Sequence, residues 1–217
     1  MRNRPWTIAQ ERDDFVEATL DSRDFDDFNF PFDVSFRHRL RLIGERLRVE
    51  LEVENRDIRR APVGLGFHPY FRRRLSPSDS DVLVHVPARK VYSLKRCLPV
   101  APPVDAAGEF DLRGLAPLGD RQLDDCFTEL EDSTVRLVYP GTRVEVRFDM
   151  DPVFSHVVVY GPRNRDGTAS DFVVIEPVSN VNNGFNLMAR GWQQTGTKVL
   201  EPGECWGGAW ELSVGDV

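Results

Sequence analysis

The sequence predicts an all-β fold of antiparallel strands, a β-sandwich or barrel. Three observations carry that expectation. Apolar residues recur with period two along most of the chain, long stretches with helical spacing are absent, and the alternating runs are short and separated by Pro/Gly turns. In chain order, "PFDVSFRHRLRLIGERLRVELEVEN" places Phe32, Val34, Phe36, Leu40 and Leu42 on one face. Beyond a turn near Gly44, Leu47, Val49, Leu51 and Val53 repeat the pattern, which predicts a hairpin. "DVLVHVP" follows as a strand. Leu98 to Asp120, rich in Pro, Ala and Gly, reads as a long surface loop that is too short to separate two domains. "TVRLVYPGTRVEVRFDM" predicts a second hairpin around Pro140 and Gly141, with Val144, Val146 and Phe148 facing in and Arg143, Glu145 and Arg147 facing out. "SHVVVYG", "DFVVIEP" and "AWELSV" complete the strand set, and no repeat with a fixed period appears. The 217 residues, 41% of them hydrophobic, fit one domain with its own core over 1–217.

Composition narrows the partners. A net charge of −7 and a pI near 5.2 argue against a nucleic-acid surface, which needs clustered Lys and Arg. The expected partner is a small neutral molecule. No apolar run approaches membrane-spanning length, and "MRNRPWTIAQ" has no signal-peptide core, so the expected location is the cytoplasm. Cys97, Cys126 and Cys205 are an odd number without close pairs, as expected of reduced thiols.

Four histidines, His38, His68, His85 and His156, sit in separate segments, without the one-, three- or four-residue spacings of common metal-binding pairs. No metal site is expected. His38, His85 and His156 fall in strand patterns, where a histidine is ordinarily a surface or satisfied core residue. His68 differs. In "GLGFHPYF", Gly64 and Gly66 permit unusual backbone angles and close approach, while Pro69 restricts His68 to extended conformations. That pattern suits either a packed loop histidine or an imidazole presented at a fixed angle to a small ligand. In "DFVVIEP" the alternation puts Phe172, Val174 and Glu176 on one face. A carboxylate buried at the end of that row would have a raised pKa and serve as a base near neutrality; one past the strand end would lie in water. In "LDDCFTEL", Asp124 and Asp125 either cap a turn or accept hydrogen bonds from vicinal sugar hydroxyls. The run Arg72, Arg73 and Arg74 reads as a solvated charge cluster or as an anion site.

Taken in order, "RNRPW", "GFHPYF", "LDDCF", "FVVIEPVSN" and "LEPGE" resemble the aldose 1-epimerase (mutarotase) family over nearly the whole chain. The resemblance implies an antiparallel galactose mutarotase-like β-supersandwich with the sugar in an open cleft. It implies His68 as general acid, Glu176 as general base and Asp124 as a ligand for sugar hydroxyls, with Asp125 the nearest alternative for that role. Arg2 resembles the arginine placed before the family's tryptophan step, here Trp6, and Tyr70 is a candidate wall of the cleft. The implied partner is a reducing sugar, and neither a metal nor a nucleotide cofactor is needed. The implied reaction takes a proton from the C1 hydroxyl and delivers another to the ring oxygen, with the two groups on opposite sides of the anomeric centre.

One departure stands out. Family members similar to this chain carry amino-terminal strands ending in His-Gly just before the "RNRPW"-like segment, whereas here Met1 falls at that point. The sequence therefore reads as a domain short at its N-terminus and lacking the usual first histidine. Sheet edges left unpaired in this way would be covered by a homodimer. Two rival readings follow, a non-catalytic carbohydrate-binding protein on the same scaffold and a mutarotase acting on a hexose phosphate through the arginine run.

Overall fold

The computed structural model describes residues 4–217, and its regular structure is almost entirely antiparallel β. Two sheets lie face to face. In spatial order, the nine-stranded sheet runs β1 (Thr7–Arg12), β2 (Phe15–Asp21), β3 (Val34–Ile43), β4 (Arg46–Asn55), β19 (Cys205–Asp216), β15 (Val144–Met150), β14 (Thr134–Tyr139), β7 (Leu83–His85) and β12 (Ala116–Pro117). The six-stranded sheet runs β11 (Val104–Asp105), β8 (Ala88–Tyr92), β13 (Asp124–Leu130), β16 (His156–Tyr160), β17 (Phe172–Val178) and β6 (Tyr70–Arg72). Two small ribbons join β9 (Leu94–Lys95) to β10 (Leu98–Pro99), and β5 (Ala61–Val63) to β18 (Lys198–Leu200).

The period-two pattern sets this architecture. Val49, Leu51 and Val53 of β4, Val146 and Phe148 of β15, and Val135 and Leu137 of β14 meet Phe127, Val157, Val159, Val173 and Ile175 of the other sheet in one apolar cluster. Full burial of each such side chain contributes about 1.5–3 kcal/mol. The outer face of the larger sheet carries the alternate residues, paired across strands: Arg37 with Glu52 at 2.8 Å, Arg39 with Glu17 at 2.7 Å, and Arg48 with Glu211 at 3.0 Å. Both predicted hairpins form, β3–β4 around Gly44 at φ +59° and β14–β15 around Pro140 and Gly141.

Two expectations need correction. Leu98 to Asp120 is not simply a surface loop. It adds short pieces to both sheets through β11 and β12 and buries Ala106, Leu112 and Leu118. Isolated apolar residues spaced by Pro and Gly carry no periodicity, so the pattern could not show them as core. A six-residue helix, α1 (Gly184–Ala189), also forms, too short to display helical spacing. Among the described residues no helix is long and apolar enough to cross a membrane.

Candidate active site

His68 and Glu176 come together because of strand register. The ladder that sets Gly66 opposite Val178, Tyr70 opposite Val174 and Arg72 opposite Phe172 puts His68 directly across from Glu176. Their side chains share one face, and Nε2 of His68 lies 3.1 Å from Oε1 of Glu176. Pro69 has no N–H to give the ladder at this point, and the bond from the Ile175 amide to the Pro69 carbonyl is stretched to 3.4 Å. Close approach explains the two glycines. A Cβ on Gly64 would lie 1.8 Å from Asn180 Oδ1, and one on Gly66 would lie 2.7 Å from Val178 Cγ1.

This face of the six-stranded sheet is turned away from the sandwich core. Residues 173 and 175 point into the core, whereas Phe172, Val174 and Glu176 point out. Cross-strand pairs extend the face into rows. His68 and Glu176 continue through Val158 and Cys126 to Tyr92. The adjacent row runs Tyr70, Val174, Tyr160 and Asp124. Asp124 thus stands two strands from Glu176, roughly 10 Å across the sheet. The far part of the first row is roofed by Val181 and Leu187 of the β17–β18 connection, which pack on Tyr92, Cys126 and Val158.

The electrostatics differ within the pair. The Glu176 side chain is 17% exposed, and burial, reinforced by the neighbouring Asp124 carboxylate, pushes it up to about 7. The His68 side chain is 49% exposed and reachable from solvent. The site therefore holds a carboxyl group that exchanges its proton near neutrality beside an imidazole that donates to it or accepts from it. The two groups touch each other and do not stand on opposite sides of a cavity.

The other sequence candidates separate clearly. The Tyr70 side chain is exposed, its ring 5.0 Å from that of His68 and 5.2 Å from that of Phe172. Asp124 lies on the site face. Asp125 does not: it is buried, its carboxylate accepts from the amides of Leu94 and Asp124 at 3.1 and 3.2 Å, and it anchors β9. Arg2 lies outside the described residues. The arginine run splits as strand alternation requires, with Arg73 buried against Asp81 and Arg72 and Arg74 exposed. His156 is buried and stacked on Tyr92, with Nδ1 2.9 Å from Ser155 Oγ and its pKa lowered to about 4 by burial. His38 packs between Trp6 and Phe67, and burial lowers its pKa too. Among the described residues, no three His, Cys, Asp or Glu side chains converge on a metal position.

Sequence reasoning missed two residues of this face. Tyr160 sits between Val174 and Asp124, and only the pairing of β16 with its neighbours reveals it. Cys97 lies in the β9–β10 turn, where Arg96 and Cys97 both have positive φ, and its Sγ is 3.7 Å from Asp124 Oδ2. Asp124, and then burial, raise the Cys97 pKa, so the thiol faces the carboxylate protonated.

Comparison with known proteins gives a consistent result. The family model described as aldose 1-epimerase matches residues 1–213. No curated protein matches the chain. A galactose mutarotase-like protein from Clostridium acetobutylicum superposes with a TM-score of 0.84 at 19% identity, over 100% of this chain and 68% of that one. An aldose epimerase homologue from C. elegans gives 0.80 at 16% identity over 99% and 69%. A galactose mutarotase related enzyme from Lactobacillus acidophilus gives 0.79 at 16% over 99% and 72%. At these identities the likeness establishes the galactose mutarotase-like fold alone.

Proposed function

The chain belongs to the aldose 1-epimerase family, and on that premise we propose that it interconverts the α and β anomers of a reducing hexose by acid–base ring opening and closure. The contact between His68 Nε2 and Glu176 Oε1 at 3.1 Å, at a carboxyl group raised to about 7, carries this reading. O1 and the ring oxygen of a pyranose are attached to the same carbon, so an adjacent base and acid can serve both. Glu176, ionised, removes the proton of the C1 hydroxyl while His68, protonated, donates to the ring oxygen. The C1–ring oxygen bond breaks and C1 becomes an aldehyde. Rotation about C1–C2 presents the other carbonyl face; the ring oxygen then returns its proton to His68 as it attacks, and Glu176 protonates the new O1. Each group ends in its starting state. A positioned acid and base contribute roughly 10²–10⁴-fold each. Asp124 accepts from sugar hydroxyls, and Tyr70 offers an aromatic wall beside His68.

Polarimetry of freshly dissolved α-D-glucose and α-D-galactose tests the proposal. The expected result is a mutarotation rate proportional to protein and lost in Glu176→Gln. Saturable sugar binding without acceleration would favour a carbohydrate-binding protein instead. A phosphorylated hexose is a second reading, supported by Arg72, which shares the face of His68 and Tyr70 and has no acidic partner among the described residues. Faster turnover of glucose 6-phosphate than of glucose, abolished by Arg72→Ala, would select it.

A further inference from the structure

We infer that Ser179 is a positioning residue, its buried hydroxyl latching the segment that carries His68 onto the end of β17 and so setting the separation of His68 and Glu176. The inference rests on the acid–base reading above. Ser179 is 1% exposed. Its Oγ accepts from the buried amide of Leu65 at 2.9 Å and donates to Asn180 Oδ1 at 3.2 Å. Asn180 Nδ2 in turn donates to the Val181 carbonyl at 2.9 Å. The Ser179 amide donates to the Leu65 carbonyl at 2.8 Å and the Phe67 amide to the Pro177 carbonyl at 3.0 Å. Leu65 and Ser179 are therefore joined by two hydrogen bonds, three residues from each reacting side chain.

The neighbouring sequence makes this joint necessary. Before Gly64 the chain pairs with β18, and after it with β17. At this change of partner the Leu65 amide is inside the protein and would be unsatisfied without the serine. On the other side of His68, Pro69 leaves the ladder one donor short. The imidazole is thus fixed mainly from residues 65–67. The room that Gly64 leaves is filled by Asn180 Oδ1, the acceptor of the Ser179 hydroxyl.

The test compares the parent chain with Ser179→Ala by two readouts. The first is the titration of the Glu176 carboxyl carbon followed by NMR, which needs no activity. Loosening His68 removes a hydrogen-bond partner of the ionised carboxylate and leaves Asp124, Cys97 and Cys126 around Glu176 unchanged, so the midpoint should rise from its value of about 7. The second is mutarotation. The expected kcat falls about 10- to 100-fold, as for a displaced catalytic group, with KM within about twofold of the parent. An unmoved Glu176 midpoint would overturn the inference, whether or not the rate falls, because a lower rate alone would mark a purely structural serine. If the parent itself does not accelerate mutarotation, the acid–base reading fails while the titration still decides the latch. If Ser179→Ala does not fold, Asn180→Ala cuts only the second link, and the same rise, smaller in size, is required of it.

Discussion

Glu176 is the residue on which chemistry and stability oppose each other. Its pKa is raised from 4.5 to about 7 by burial and by Asp124, so between those pH values the folded protein holds a proton that the unfolded chain has released. Stability therefore falls as pH rises across that window, by up to about 3 kcal/mol. Glu176→Gln removes this slope. Urea unfolding at pH 4.5 and pH 8 should show the variant gaining about 3 kcal/mol on the parent between the two pH values, while the catalysed rate drops roughly 10²–10⁴-fold. The ionised base also predicts that kcat/KM rises with pH through a midpoint near 7, measured by polarimetry. The signals of His68 and Glu176 are local, glycines before an imidazole, a proline after it and an acid closing an alternating run, yet they left each residue with two readings, and the resemblance to the family singled both out. Tyr160 and Cys97 were not legible, since they matter only through residues opposite them on strands that the sequence does not pair.

At the scale of elements, the same distinction governs what could be foreseen. The hairpins around Gly44 and Pro140-Gly141 join neighbouring segments, so pattern and turn chemistry fix them together. The pairing of 64–72 with 172–180 spans about a hundred residues, and nothing local states its register. A shift of one residue would send His68 to the core face. The glycines enforce that register by having no room for a side chain. Gly64→Ala would place Cβ 1.8 Å from Asn180 Oδ1 and 2.7 Å from its Cγ, so overpacking should destabilise the fold by about 1–3 kcal/mol. A lower urea midpoint with an unchanged m-value is the expected record. Gly44→Ala has open space around its Cβ but a φ of +59°, and its smaller cost should leave the rate of mutarotation untouched.

Across the whole molecule, the last strand links the core to the chemistry. β19 lies inside the nine-stranded sheet between β4 and β15, so the sheet cannot close until the C-terminal segment arrives. Such non-local pairing predicts slow folding, in milliseconds to seconds. Trp210 of this strand is 5% exposed and packs its ring 5.3 Å from Phe148 and 5.7 Å from Phe67. Phe67 also touches Phe154 and His38 and directly precedes His68. The aromatic cluster therefore supports the imidazole from beneath, on the side opposite the exposed face that carries His68 and Glu176. Trp210→Ala should cost about 3–5 kcal/mol in urea unfolding and should lower kcat even under conditions where the protein remains folded. Trp210→Phe keeps the ring contact and removes an indole N–H that has no partner among the described residues, so it should cost less and retain most of the rate. Equal losses of rate in the two variants, with both proteins folded, would show that ring packing at this position does not reach His68.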